Sequence, residues 1–233
     1  MPWKASKREP GPQPAATQTG WNWKAVTSVE KWRQPDGAVM ALLPLLSGWN
    51  APRVYDLGCG LGRHLQFFAI AGYSVAGSDI SPDAVAESTR VLRATGMEAD
   101  VKEGRMTSIA QPDGAFHLVI ALRVIHHATR PEIEQAIAEV HRILAPGGFF
   151  FATFKSDAEA RPPDAIIIDA RTAIWQSEPE KGIPHFYARR EDVISLVRAF
   201  EIVSFKYCEA YEPPRFDAGK KNAWYEVLAR KKV

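Results

Sequence analysis

The sequence predicts an α/β fold, a mostly parallel sheet with helices on both faces, from three observations. The stretch Arg53 to Ala69, RVYDLGCGLGRHLQFFA, reads as strand, tight turn and helix. Phe116 to Leu122 is an apolar run interrupted only by His117, as expected of a central parallel strand covered by helices on both sides. Around these, short apolar runs alternate with segments whose apolar residues fall at helical spacing, the order of β-α-β units.

Taken in order, the first strand carries Val54 and Tyr55 into Asp56, then glycines at alternate positions, Gly58, Gly60 and Gly62. Glycine admits positive φ and leaves room for a ligand close to the backbone, where the helix from Arg63 to Ala71 presents unpaired N–H groups. Tyr73 to Ser78 is the second strand and finishes at Asp79; Ser81 and Pro82 then supply the N-cap and first residue of a helix to about Ala94. Met97 to Lys102 is a short third strand and Phe116 to Leu122 the fourth. Pro131 to Leu144 is a helix with Ile133, Ala136, Ile137, Val140 and Leu144 on one face, stopped by Pro146, Gly147 and Gly148. Phe149 to Phe154 is the fifth strand, Glu191 to Phe200 the last helix, and Glu201 to Cys208 and Ala223 to Ala229 the sixth and seventh strands. Residues 209–222 carry no helix signal, so the last two strands form a hairpin rather than a parallel crossover.

Three segments lie outside this alternation. Residues 1–20, rich in proline and small polar residues, read as a disordered tail. Residues 21–50 hold Trp21, Trp23, Trp32 and Trp49, with a helical stretch Ala38 to Leu46 kinked or cut short at Pro44, and read as an N-terminal cap. Its aromatics either pack on the sheet or close over a ligand cleft. Residues 155–189 have many prolines and little periodicity, the character of a lid or binding loop. The reading is one domain over 21–233 with that cap and that lid insertion.

At 233 residues the chain can build a substantial core, and 46% hydrophobic with 24% charged residues is ordinary for a soluble globule. No apolar run reaches the roughly 18 to 20 residues that cross a bilayer, and the N-terminus lacks the apolar core of a secretory signal. The expectation is a cytoplasmic protein without membrane partners. Cys59 and Cys208 have no metal-ligand spacing, and no disulfide framework is expected. A net charge of +2 does not argue for nucleic acid, although Lys4, Lys7 and Arg8 at one end and Arg230, Lys231 and Lys232 at the other are basic clusters.

The glycine turn narrows the ligand. A dinucleotide fingerprint counted from Gly58 would need glycine at position 63, where this chain has Arg63. A carboxylate two residues before the first glycine suits an ammonium group rather than a pyrophosphate, since two anions there repel. DLGCGLGRH, the second strand with SDIS, FHLVIALRVIHHA and RILAPGGFFFATF together resemble the motif series of class I S-adenosylmethionine-dependent methyltransferases, of the type 11/25, small-molecule kind, over roughly residues 30 to 230.

That resemblance implies a Rossmann-like three-layer sandwich, a seven-stranded sheet antiparallel only at its last strand. It implies S-adenosyl-L-methionine as cofactor and S-adenosyl-L-homocysteine as product, held by Asp56, Gly58, Cys59, Gly60, Gly62, Asp79, Ile80, Arg105, Met106, Ala121, Leu122 and Arg123. The methionine end lies by the glycine turn, the ribose on Asp79 and the adenine near Met106. Two departures stand out: many family members carry an acidic residue at the position of Arg105 and Asp at that of His117, and Arg105 cannot accept a hydrogen bond.

His126 and His127 follow the fourth strand at its C-terminal edge, where open α/β sheets place ligands, and can orient a nucleophile or take its proton near neutral pH. GIPHFY, Gly182 to Tyr187, resembles a stretch in some small-molecule members of the family. His185, Phe186 and Tyr187, with Trp32, line an acceptor pocket or pack beneath the loop. His126, His127 and His185 are the catalytic candidates. No metal or covalent intermediate is required. The favoured reading is a small-molecule methyltransferase, monomer or homodimer. Its rivals are an RNA or protein methyltransferase and a non-catalytic cofactor-binding partner subunit.

Overall fold

The computed structural model describes residues 20–26, 30–98, 100–211 and 221–233. The expected N-terminal tail, with Lys4, Lys7 and Arg8, lies outside the described residues except for Gly20.

In chain order the elements are α1 (Gly37–Met40), β1 (Arg53–Leu57), α2 (Arg63–Ile70), β2 (Ser74–Asp79), α3 (Pro82–Ala94), β3 (Asp100–Glu103), β4 (Phe116–Ala121), α4 (Arg130–Ile143) and β5 (Leu144–Lys155). Then follow β6 (Ile166–Ile167), β7 (Thr172–Ile174), β8 (Pro184–Phe186), α5 (Arg190–Leu196), β9 (Phe200–Tyr211) and β10 (Lys221–Lys231). The main sheet has seven strands in the order β3-β2-β1-β4-β5-β10-β9. Pairs β1 with β2, β1 with β4, β2 with β3 and β4 with β5 are parallel, and β10 runs antiparallel to both β5 and β9. The fold is the seven-stranded Rossmann-like sandwich, with only the last strand reversed.

Period-two alternation assigns the two faces. Along β4, Leu118 and Ile120 face a core with Val39, Leu65, Phe68 and Leu92 from α1, α2 and α3, whereas Val119 and Ala121 face one with Ile133, Ile137, Val140 and Leu196 from α4 and α5; Phe116 joins the second core out of turn, because the register shifts between Phe116 and Leu118. The helices start where local chemistry satisfies their first N–H groups. Ser81 Oγ accepts from Ala84 N, with Pro82 next to it, and Thr129 N donates to Glu132 Oε2 at 2.9 Å at the head of α4. The helical stretch at Ala38 to Leu46 is short, as Pro44 requires: α1 ends at Met40 and a 3-10 turn covers Leu43–Leu46.

Four boundaries differ from the sequence reading. Strand β5 begins at Leu144, not Phe149, because Pro146 to Gly148 are carried within the strand, with a register irregularity against β4. The third strand starts at Asp100 and α5 ends at Leu196. Both hairpin strands are longer than expected and pair from Phe200 with Lys231 out to Tyr211 with Lys221. The segment 155–189 contains a second, antiparallel sheet, β6-β7-β8, whose strands of two or three residues are too short to show alternation in sequence.

The strand order reverses between β1 and β4, and in such sheets the crevice at the C-terminal strand ends beside that switch point takes the ligand. The cap comes to the same edge. Arg33 pairs with Glu87 of α3 at 3.0 Å, and Asn22 N donates to the Pro179 carbonyl at 3.0 Å, tying cap to lid segment. The basic C-terminus lies at the other edge: Lys231 Nζ donates to the His141 and Leu144 carbonyls at 2.7 Å each, and Arg230 Nε to Gly147 O at 3.2 Å. Two of its three cations are therefore spent on backbone carbonyls away from the crevice. Among the described residues no helix is long and apolar enough to cross a membrane.

Candidate active site

The turn after β1 is held from beneath. Gly58 N and Cys59 N both donate to the Ser78 carbonyl, at 2.7 and 3.0 Å, joining the ends of β1 and β2. Gly58 (φ +69°) cannot be replaced without a clash, since a Cβ there would stand 2.3 Å from a Val124 methyl. Gly60 (φ +53°) lies under the Trp23 ring, which a Cβ would meet at 2.8 Å.

Asp79 closes the turn from the side. Its Oδ2 accepts from Gly60 N and its Oδ1 from Ser81 N, both at 2.9 Å, so one carboxylate fixes the glycine turn and the start of α3 together. Burial pushes its pKa up, while these two bonds act in the opposite sense. Each oxygen keeps a second lone pair for a ligand. Asp56 is buried at the end of β1 with Oδ2 lacking a hydrogen-bond partner, 3.4 Å from His64 Nδ1. Because His64 Nε2 accepts from Asp36 N at 3.4 Å, the ring proton sits on Nδ1, facing Asp56. Cys59 is buried and its thiol is pushed well up by burial, then by Asp56 and Asp79, which leaves it unreactive.

Above the turn is an enclosed cleft of about 150 Å³, and beside it an open chamber of about 780 Å³. The two share Trp21, Trp32, Arg63, Arg123 and His127 as a common wall. Trp21, Trp23 and Trp32 pack on one another with ring centroids 5.3 to 6.0 Å apart, and the Arg63 guanidinium lies 5.4 Å over Trp32. Arg123, two residues past β4, stands at φ +58°, a conformation uncommon for a side chain this large, with its N–H donating to Thr153 Oγ1 at 2.7 Å. That turn aims Val124 at Gly58 and brings His126 and His127 to the chamber wall.

There the imidazoles collect. His126 and His127 lie ring to ring at 4.4 Å, and His127 and His185 at 4.7 Å. His185 is fully buried, stacked on Trp175 at 4.3 Å, with Nδ1 3.0 Å from the Ile183 carbonyl. Burial lowers its pKa to about 4 and lowers that of His126 well below the usual range, so both rings are neutral near pH 7. Glu180 stands between His127 and His185. Burial pushes its carboxyl up, but the two imidazoles outweigh this and hold it well below the usual carboxylate range. Lys155, at the end of β5, pairs with Glu159 and lies 5.0 Å over Trp175.

Of the residues expected at a cofactor, Gly58, Cys59, Gly60, Asp79, Ile80, Arg105, Met106, Leu122 and Arg123 line the enclosed cleft. Asp56, Gly62 and Ala121 do not: Asp56 and Ala121 are buried behind it, and Gly62 packs against Ser88 as the left-handed N-cap of α2. His127 and Trp32 reach both chambers and His126 the larger one. Phe186 and Tyr187 line neither. His185 lines neither cavity as well; Phe186 belongs to the main core, and Tyr187, just past β8, is buried beneath the lid segment and accepts from Trp175 Nε1 at 3.0 Å. His117 is remote, its Nδ1 accepting from Arg53 N at 3.0 Å against Trp49 at the opposite sheet edge. Glu180, Lys155, Glu159 and Trp175 escaped the sequence reading. Glu180 sits in an aperiodic stretch that offers no local signal for it.

Residues 54–148 match the family model described as a methyltransferase domain. The chain is 32% identical over 98 residues to an uncharacterized methyltransferase of Synechocystis sp., covering 42% of this chain and 44% of the relative. It is 29% identical over 116 residues to a ubiquinone biosynthesis O-methyltransferase of Aromatoleum aromaticum, covering 49% of each. The matches thus span about half the length of these relatives. A solved structure from Methanosarcina mazei, described as a SAM-dependent methyltransferase, superposes with a TM-score of 0.69 at 20% identity, over 86% of this chain and 99% of its own.

Proposed function

We propose that the chain, whose residues 54–148 match a methyltransferase domain, is a class I S-adenosylmethionine-dependent methyltransferase that methylates a small molecule held in the larger chamber. The observation that carries this reading is the shared wall. A tight cleft against the glycine turn opens beside His127 and the tryptophans into a roomier chamber, as a donor site and an acceptor site must meet for methyl transfer.

The residues fit the donor. The turn leaves no Cβ between ligand and backbone at Gly58 and Gly60, and Asp79 keeps a free lone pair on each oxygen for the ribose. Met106 and Ile80 offer apolar surface for the adenine, with Arg105 beside it. The bound cofactor supplies an activated methyl group on a sulfonium, so the protein need not generate a leaving group. Its own tasks are alignment and dryness. Trp21, Trp23 and Trp32 exclude water over the cleft, and their ring faces suit a cationic sulfur. The acceptor's nucleophilic atom meets His127 and Glu180 on the chamber wall, which orient it, with neutral His126 lining the same chamber and His185 holding Glu180 from behind.

The small-molecule assignment is supported by a chamber walled in part by the chain's own cap and lid segment, and by the relative named for ubiquinone biosynthesis. Titration calorimetry with S-adenosylmethionine and S-adenosylhomocysteine, followed by a labelled-methyl screen of phenols, N-heterocycles and thiols, tests it. Micromolar binding with label transferred to a member of the panel is the expected result. Label transferred from extract only to RNA or protein would overturn the small-molecule assignment.

A further inference from the structure

Three side chains that the sequence keeps apart meet at the wall of the larger chamber. His127 Nε2 is 3.1 Å, and His185 Nε2 3.3 Å, from the same Oε1 of Glu180, and the three ligand atoms all lie within 4.8 Å of one another. We propose that this cluster binds a divalent transition-metal ion through two imidazole nitrogens and one carboxylate oxygen, and that its open positions receive an oxygen or sulfur acceptor of the methyl group. The second half rests on the methyltransferase reading above; the first half stands without it.

The tautomer of His185 carries the argument. A ring nitrogen 3.0 Å from the Ile183 carbonyl must bear the proton, because two acceptors do not share that distance. The proton is therefore on Nδ1, and Nε2 of the neutral ring turns its lone pair toward a carboxylate oxygen. A lone pair on the fully buried His185 facing a carboxylate oxygen is repulsive unless a cation, a metal ion or a proton, lies between them. Neither Nε2 makes a hydrogen bond of acceptable geometry, so both are buried donor-or-acceptor atoms left without a partner. A histidine that donates Nδ1–H to a backbone carbonyl is oriented as metal-ligating histidines are. Stacking on Trp175 at 4.3 Å and 18° fixes the ring plane as well.

The spacing agrees. Zinc-type ions sit about 2.0 to 2.1 Å from imidazole nitrogen and carboxylate oxygen, which makes the edge of a coordination tetrahedron roughly 3.3 Å. The two nitrogen-to-oxygen separations, 3.1 and 3.3 Å, are close to that edge, and the two nitrogens lie within 4.8 Å of each other. Lys155, the nearest lysine in the same chamber, is paired with Glu159 and does not neutralise Glu180. Two nitrogens and one oxygen favour zinc, manganese, iron or cobalt over the oxygen-seeking calcium and magnesium. With three protein ligands, positions stay open, and His127 and Glu180 direct them into the larger chamber. An alcohol, phenol or thiol that coordinates there loses its proton to solvent as the metal–oxygen or metal–sulfur bond forms, and so becomes the better nucleophile.

The test uses the full chain, freed of any affinity tag and treated with chelator, titrated with Co²⁺ alone for visible d–d absorption and with Zn²⁺ alone by calorimetry. One equivalent bound at micromolar affinity or tighter is expected. Glu180→Gln, which keeps the side-chain volume, and His185→Ala should each weaken it by at least about 10- to 100-fold, with S-adenosylhomocysteine affinity within about twofold serving as proof of folding. A wild-type protein that binds S-adenosylhomocysteine yet takes up neither ion, or variants that bind metal as well as wild type, would overturn the site and leave a shared proton in its place. Methyl transfer that persists unchanged in chelator would remove the acceptor role alone. Metal uptake with no transfer to any acceptor would sink the methyltransferase reading and leave the site standing.

Discussion

Replacing Asp79 by alanine should produce two losses that can be separated. The carboxylate accepts the backbone N–H groups of Gly60 and Ser81 at 2.9 Å each, and it is 9% exposed. Hydrogen bonds to a charged group contribute about 1.5 to 3 kcal/mol each, and removing the acceptor leaves both donors in a buried place. Against this stands the cost of holding a buried carboxylate ionised, which its raised pKa records and which the alanine variant no longer bears. The net expectation is about 3 kcal/mol of lost stability, a fall in Tm of roughly 6 to 12 °C for a chain of this size. The second loss is the ribose contact, expected to weaken S-adenosylhomocysteine binding by tenfold or more, about 1.4 kcal/mol. Calorimetric titration read beside thermal melting measures both. Ser81→Ala is the control: it removes the Ala84 N–H bond at the helix cap, about 1 kcal/mol, and spares the carboxylate, so Tm falls while affinity holds. A folded Asp79→Ala protein with wild-type affinity would refute the ribose assignment and leave Asp79 as a brace for the turn.

Three further outcomes follow from the same geometry. Gly60→Ala places a methyl group 2.8 Å from the Trp23 ring at φ +53°, so the indole must shift; a change in tryptophan emission together with at least tenfold weaker cofactor binding is expected, and an unchanged spectrum with full affinity counts against the cap's seat on the turn. His127→Ala should lower turnover by about a hundredfold while cofactor affinity changes by less than about twofold; full activity would leave positioning as the only task of the cluster. Glu87, bonded by Arg90 and Arg33, has its pKa lowered to about 2, so in the folded state it holds fewer protons than the unfolded chain as pH falls below about 4.5. The stabilisation is present above that pH and is lost toward pH 2. This solvent-facing pair contributes no more than about 1 kcal/mol, and denaturant midpoints measured from pH 6 to 3 should fall less steeply in Glu87→Gln than in wild type.

The donor half of this molecule was legible in the sequence because its chemistry is local. Gly58 and Gly60 follow β1 directly, Asp79 ends the next strand, and the sheet's switch point brings those two strand ends together whatever the rest of the chain does. Helices α2, α3 and α4 announced themselves through cap residues and spacing over eight or more residues. The strands of the lid segment, two or three residues long, could not, since alternation needs more positions than they have. The choice between pocket and packing for Phe186 and Tyr187 stayed open for the same reason: without knowing that β8 exists, nothing in GIPHFY tells which side chains turn inward.

The acceptor half was illegible for a different reason, and that reason bears on how the chamber works. Its polar groups His127, Lys155 and Glu180 come from the turn after β4, the end of β5 and the segment before β8, and no two of them share a helical or strand period. Asn22 fastens cap to lid through the Pro179 carbonyl and, by its side chain, through Glu178, 3.0 Å in each case, two residues from Glu180. A movement of the cap that opens the cleft therefore pulls on the segment carrying Glu180, whereas His185 is held on β8 by the Trp175 stack and by core packing. On that linkage, opening is expected to separate Glu180 from the imidazoles and closing to restore the cluster under the tryptophans. Asn22→Ala cuts the side-chain link and leaves every chamber residue in place. It should raise the acceptor KM severalfold with cofactor affinity little changed, and equal KM values in the two proteins would show that cap and lid move independently.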